Sequence, residues 1–550
     1  MKIGRTKMRR AAVIIVSLTL FMSLCLQTAL PSFGAGAASW PSFRGDPANK
    51  GISDSVTPRT LKQAVKNWSV NLDPASSNAP AANPVIYNGK IYIATAVGDP
   101  SFGPSTAGKL TVFSTKGKKI KEKNFPSTWG ISYSSSLAYG DGKIFVPVFD
   151  SISMEARVAA FNASSLKQLW ISAPLPANYE IVSSLTYKGG YLYGGSSYGW
   201  DATSTQGCFF AIKTKDTDTS RTDETVAFKW TYTSSKAAKG YYMAGCVFTK
   251  KAVFFAGDDG SLVSHSLTAS QGAIASYDMD GPVRSDLYIK DKVIYATTQA
   301  GSLYRIPVSD TGKITSQKAK KASLRGGASS SSPVVYGGKV YAVSGKSSFI
   351  LGEDKGKGYL ESFKASNLKK LSTADLGEFS QSSPLLTTGY ASKATKNTVN
   401  LYMILNADSD KVICVQDSSS LKTLKKSVLY SPGGSFSATS LIADAAGNLY
   451  FIHSITTDPA TYANTSELVS IGTKKATVKF NVNGGKKLKS SSMKAVYGNR
   501  IGDLPKPSYK NKNKVFVGWY TKKKGGSKVT ANTTIKSTKT RTLYAHWKEK

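Results

Sequence analysis

The sequence predicts an all-β chain: a propeller of eight small sheets (alternatively seven), followed by a separate small β domain. Three observations predict it. A hairpin-forming phrase recurs eight times along the chain. Its strand-like runs end at Asn-Gly, Gly-Gly or Asp-Gly pairs, which accept the positive φ of tight hairpin turns. Near residue 474 the composition shifts abruptly toward lysine.

The 550 residues are 41% hydrophobic and 19% charged, enough apolar content to bury cores. Four cysteines and three histidines argue against a disulfide-dense scaffold, a multi-cysteine zinc protein or multi-histidine catalysis. The formal net charge is +38.

Export is expected from the first 37 residues. Lys2, Arg5, Lys7, Arg9 and Arg10 precede the apolar run Ala11 to Leu26, and Ala35-Gly36-Ala37 offers a small-residue cleavage site. The run is shorter than the ~20 residues that span a bilayer. The expected mature chain is secreted, extracellular or cell-wall associated, with no transmembrane segment. It keeps Cys208, Cys246 and Cys414, which allow at most one bridge and read as small apolar strand residues.

The repeat is fullest at SSSSPVVYGGKVYAVSG, from Ser329 to Gly345, followed by YLESFKASNLKKL. Corresponding positions are Pro84, Ser136, Ser184, Gly245, Ser285, Pro333, Pro384 and Ser440, spaced by 40 to 61 residues. The phrase offers a short apolar strand, a tight turn, an alternating strand such as KVYAV, a third strand such as LTVF, and a turn such as STKGK that leads to an outer strand. A unit of this length built from short strands points to propeller blades, whose faces are buried only by packing on neighbours. The last copy holds three strands before the chain leaves at about Gly472. Residues near Ala64–Asn71 are expected to supply the fourth and so tie the ends together. The fourth unit's outer strand, near Ala273–Tyr277, is the most weakly marked.

These repeats resemble the quinoprotein-like, or PQQ-like, propeller repeats over roughly residues 40–472. The opening WPSFRGDPANKGISDSVTP resembles the lead-in that often precedes them. The resemblance implies the fold. Its enzymes hold a quinone and calcium with an adjacent cysteine pair, a tryptophan floor and Glu, Asn and Asp ligands. The chain has no neighbouring cysteines, and only Trp170 and Trp230 end strands in the family's manner. No cofactor, catalytic residue or metal ligand is therefore expected.

Other apparent sites have plainer readings. Arg44-Gly45-Asp46 lies in the lead-in and is expected to pack it onto the propeller. Asp258-Asp259-Gly260 and Asp408-Ser409-Asp410 lack the spacing of a calcium loop and read as turns. His265 and His453 fall in strands.

The domains are expected at 1–37, 38–473 and 474–550. The last holds 21 Lys and Arg against Asp503 and Glu549, a charge of +19 in 77 residues. FNVNGG, YG with LPKP, F-x-GWYT and LYAHW resemble the Listeria–Bacteroides (internalin B-type) repeat of bacterial surface proteins, which implies a β-grasp-like module. A folded core leaves the lysines outside, so envelope polyanions such as wall polymers or glycans are the expected partners, through Lys486, Lys487, Lys522, Lys523 and Lys524. Nucleic acid is disfavoured by location. The expected function is a non-enzymatic scaffold that binds protein or glycan ligands at the envelope. The alternative is an enzyme with a loop-built site on one propeller face. Carboxylates clustered around the axis would favour the enzyme; a lining of Ser, Thr and Tyr would favour binding.

Overall fold

A computed structural model describes residues 39–72, 81–98, 105–132, 135–199, 201–268, 272–346, 356–391, 397–405, 411–418, 424–432, 439–458, 463–510 and 513–550. The expected signal segment and Asp408-Ser409-Asp410 lie outside the described residues. Among those described there is no α-helix, only a single 3-10 turn at Ser316–Lys318.

Nine sheets are formed by the described residues: eight along the body and one in the tail. The innermost strands of the eight are Val85–Tyr87, Ala138–Gly140, Thr186–Lys188, Cys246–Phe248, Tyr288–Lys290, Val334–Tyr336, Leu385–Thr387 and Ile442–Ala443. Each pairs antiparallel with the strand after it. The turns are those the sequence marks: Asn88-Gly89 and Asp141-Gly142 take positive φ throughout. Asp291-Lys292 does the same without glycine. The faintly marked outer strand of the fourth sheet is Ala273–Asp278. Several outer strands are lysine-rich, and Lys119–Asn124 is exposed along its whole length. Charge on an open edge discourages pairing with other chains.

Packing joins each sheet to the next. One apolar cluster ties the first and second sheets through Ala94, Val112, Leu137 and Phe161. Others tie second to third, third to fourth, and fourth to fifth. A larger one spans the fifth to seventh. The largest joins the seventh and eighth sheets to Ile91 and Phe113 of the first. Each fully enclosed Leu, Ile or Phe stabilises this arrangement by roughly 1.5–3 kcal/mol.

The chain ends meet as expected. Ala64–Asn71 pairs antiparallel with Ala463–Thr473, from Ala64 opposite Thr473 to Asn71 opposite Glu467. The eighth sheet thereby gains its fourth strand.

The tail sheet runs Ser492–Val496, Lys475–Asn481, Arg541–Glu549, Lys514–Tyr520, Lys528–Val529. Lys475–Asn481 and Arg541–Glu549 are parallel. Val478, Trp519, Ile535, Leu543 and Ala545 form its core. The segment bearing Ile501, Leu504 and Pro505 crosses this core without forming a helix. Pro505 and Pro507 remove two amide donors there. The tail is fastened to the body. Arg59 donates to Asn499 Oδ1 at 2.6 Å, Gln63 Nε2 donates to Tyr497 O at 3.0 Å, and Asn499 Nδ2 donates to the Tyr390 hydroxyl at 3.0 Å.

Candidate functional site

The lead-in crosses one mouth of the axis. Trp40 bridges to Ile86 of the first sheet, and Tyr139 N of the second donates to Pro41 O at 2.8 Å. Asn49 Nδ2 donates to Cys246 O and Leu287 O, both at 2.9 Å, fastening the fourth and fifth sheets. Ile52–Ser53 then pairs parallel with Leu386–Thr387 of the seventh. Ser55 Oγ donates to Asp444 O at 2.8 Å in the eighth. Arg44 is almost wholly enclosed, at 1% exposure, and Asp46 Oδ1 accepts from Ala48 N. The Arg-Gly-Asp tripeptide thus packs the segment, as its sequence context implies.

Around the axis runs a girdle of small polar residues. Asp286 N donates to Ser332 Oγ, Ser332 N to Ser383 Oγ, and Ser383 N to Ser440 Oγ, each at 2.9 Å. Ser440 N closes onto Asn83 Oδ1 at 3.3 Å. Asn83, Ser136 and Ser184 continue as parallel bridges. Ser285, Ser330, Phe43, Met243 and Gln381 complete the described lining, around a void of about 30 Å³. Roughly one water's share of liquid volume fits there. Beside it, Asp286 is buried and its Oδ1 accepts from Ser184 Oγ at 2.6 Å. Burial lifts its carboxyl to about 7 despite the nearby Arg44 charge. Arg44 and Asp286 form no direct ion pair. Arg44 Nε and Nη2 and Asp286 Oδ2 are buried without a direct partner, a polar set that a bridging water would satisfy.

The opposite mouth bears the segments that lead into the inner strands. Here Arg284 grips Asp258 with two bonds, Nε to Oδ1 at 2.8 Å and Nη2 to Oδ2 at 3.1 Å. Thr205 Oγ1 also donates to Asp258 Oδ2, and the Arg284 guanidinium lies 4.9 Å from the Tyr242 ring centre. Burial raises the carboxyls of Asp258 and Glu180 above their usual range; Arg284 and Ser132, respectively, oppose the shift. The sequence offered no sign of this cluster. In sequence Asp258 reads only as part of a turn, which Asp259 and Gly260 do form: Asp259 Oδ1 accepts from Ser261 N, and Gly260 takes φ +71°. His265 is a strand residue stacked 4.0 Å from Trp230, and burial lowers its pKa. His453 also lies in a strand. The three described cysteines are free and buried: Cys246 and Cys414 are strand residues of the fourth and seventh sheets, as expected, whereas Cys208 stands just before the strand Phe209–Lys213 of the third.

In the tail, Lys522, Lys523 and Lys524 are exposed in the turn after Tyr520, and Lys486 and Lys487 are exposed after the Asn-Gly-Gly turn. The fold brings these turns together. Asn483 Nδ2 donates to Lys523 O at 3.4 Å and to Ala545 O at 3.0 Å. Two runs of lysines 35 residues apart in sequence thus follow or occupy adjoining turns.

Residues 477–546 match the family described as the Listeria-Bacteroides repeat domain. Among solved structures, the chain is similar to the quinohemoprotein alcohol dehydrogenase of Comamonas testosteroni: 14% identity, 78% of this chain, 80% of that one, TM-score 0.53. A quinohemoprotein alcohol dehydrogenase of Pseudomonas putida HK5 gives 12% identity, 79% and 80% coverage, and TM-score 0.52. BamB from Moraxella catarrhalis gives 11%, 74% and 99%, and 0.45. No curated protein matches the sequence. At such identities the likeness is one of fold. The described axial residues do not fit a quinone. The void of about 30 Å³ is far smaller than a fused-ring cofactor, Phe43 lines it, and no two of Cys208, Cys246 and Cys414 are neighbours in the chain. The chain joins a β-propeller, of the fold those dehydrogenases share, to a C-terminal Listeria-Bacteroides repeat domain.

Proposed function

We propose that the eight sheets are eight blades of one closed propeller, and that the tail is a β-grasp-like module with a coil segment where a helix would stand. We infer that the chain is an exported, non-enzymatic scaffold of the bacterial envelope. Its propeller binds protein or glycan ligands, and its tail holds it on polyanionic wall polymers or glycans. The observation that favours binding over catalysis is the axial lining: hydroxyl and amide side chains with Phe43 and Met243, and no carboxylate among the described lining residues. The lead-in covers one mouth, so the mouth carrying Glu180, Tyr242 and Arg284 is the face left for ligands. Arg284 and Asp258 neutralise each other there, which suits a rigid tie between loops better than an acid–base pair. Envelope placement rests on the N-terminal export pattern and on the surface-protein resemblance of the tail.

The tail's role follows from charge. Exposed ammonium groups attract polyanions and release counterions, and salt screens them over ~8 Å at physiological ionic strength. The test is retention of the full chain on purified bacterial walls as salt is raised. The expected result is release by salt, together with about tenfold weaker retention when Lys486, Lys487, Lys522, Lys523 and Lys524 are changed to Glu. Equal retention at low and high salt, or none, overturns the anchor. Recovery of a ligand from envelope extracts that is lost with Arg284→Ala, but not with the tail variant, tests the propeller face.

A further inference from the structure

An open strand edge and an apolar groove meet on one side of the tail sheet. Ser492–Val496 is the first strand of that sheet and pairs, among described residues, only with Lys475–Asn481. Phe480 N donates to Ser491 O, and Tyr497 N donates to Lys474 O. Bonded and non-bonded pairs alternate in an antiparallel ladder. Met493 and Ala495 therefore spend their main-chain groups on the neighbouring strand, while Lys494 turns its N–H and C=O, and Val496 its N–H, to the open side; Val496 O accepts from Asn499 N at 3.2 Å. Against this edge lies a groove of about 490 Å³ lined by Phe480, Leu488, Met493, Leu504 and Pro505, with Lys489 at its rim. Leu488, Met493 and Leu504 rest on the tail core without being enclosed by it. Lys489 is the lysine in the lining and Asp503 the acidic residue; Lys494, alternating with Met493 and Ala495, stands exposed on the opposite face of the strand, where its Nζ donates to Thr477 Oγ1 at 2.7 Å and Lys479 is exposed on the neighbouring strand.

We propose that this edge and groove dock an extended acidic segment of a partner protein, added as a further strand beside Ser492–Val496. Main-chain bonds to Lys494 and Val496 give affinity, alternate apolar side chains enter the groove, and the carboxylates between them meet the lysines. Charge complementarity selects this occupant. A neutral or basic strand gains nothing from Lys479, Lys489 and Lys494, and a wall polymer has no alternating apolar side chains to seat. The site is distinct from the Lys522–Lys524 turn and goes beyond the wall-anchor reading.

The test uses the full chain and a fluorescent synthetic peptide in which valine and glutamate alternate. Controls are an alternating valine–lysine peptide and oligoglutamate of equal length. The alternating acidic peptide should bind and slow hydrogen exchange at the Lys494 and Val496 amides. Lys494→Pro removes one outward amide and leaves the inner ladder intact; it should weaken binding about tenfold or more. Lys522→Glu with Lys523→Glu and Lys524→Glu should leave peptide binding within about twofold, so a failed wall anchor and a failed groove are told apart. Oligoglutamate binding as tightly as the alternating peptide overturns the proposal, as does no peptide binding. Binding without protection of those two amides also overturns it, whether or not the proline variant folds.

Discussion

Replacing Trp68 with alanine should loosen the junction between the eighth and first sheets. Trp68 stands half-buried on Ala64–Asn71, with its ring 5.8 Å from that of Tyr450. Its Nε1 donates to Thr115 O at 3.2 Å, and the ring fills the space over Gly117, where an added Cβ would come within 2.7 Å of it. Enclosing roughly 100 Å² of this side chain at ~25 cal/mol per Å² contributes about 2.5 kcal/mol. The ring pair adds about 0.5 and the hydrogen bond about 1, so Trp68→Ala should cost about 4 kcal/mol. In a domain this large that is a fall in Tm of about 4–8 °C. Val65, exposed on the same strand, should change stability by less than about 0.5 kcal/mol when cut to alanine. Calorimetry gives the Tm, and hydrogen exchange gives the local effect at the Glu467–Thr473 amides that face the strand. An unchanged Tm with unchanged protection of those amides refutes the role assigned to the N-terminal strand.

Trp519→Ala should unfold the tail and leave the propeller's melting in place. The ring is 1% exposed, 4.8 Å from Phe480, and its Nε1 donates to Pro505 O at 2.7 Å; a loss of about 3–5 kcal/mol is expected from tail-specific exchange rates. Gly245→Ala should cost about 1–3 kcal/mol by denaturant midpoint, because a Cβ there would lie 2.2 Å from both Ser184 Oγ and Asp286 Oδ1. Asp286, raised from 3.8 to about 7, holds its proton more tightly folded than unfolded. Its contribution is therefore fully present below about pH 4 and lost as pH rises through 7, and Asp286→Asn should flatten the fall in midpoint over that window.

Strands and turns were legible because they are local. Val334–Tyr336, the Gly337-Gly338 turn and Lys339–Lys346 stand together in one phrase, and a two-residue period with a turn pair encodes them. Even the pairing of Ala64–Asn71 was readable, since a three-stranded last unit needs a donor. The contacts of Asn49 with Cys246 and Leu287 were not readable. They depend on where the lead-in crosses the molecule, and a buried asparagine carries no periodic signal. The grip of Arg284 on Asp258 was hidden for the same reason: the two lie on different connections that only the assembled sheets bring within 3 Å. In the tail, the lysines were countable from composition, but the groove beside Met493 and Leu504 arises from what the crossing segment leaves uncovered.

The pairing of Ala64–Asn71 with Ala463–Thr473 also sets the order of events as the chain is made. Ser55 waits for Asp444, 389 residues later, and closing a loop of that size costs about 5 kcal/mol in chain entropy beyond a constant. Until the eighth sheet has emerged, the first sheet carries an uncovered apolar flank at Ile91 and Phe113, and the N-terminal strand has no mate. At high concentration the mate it meets first can belong to another copy. Exchange of this strand between molecules builds head-to-tail swapped assemblies with every native hydrogen bond retained. The dilution at which folding is started, as much as the sequence, then decides whether monomers or linked chains are recovered.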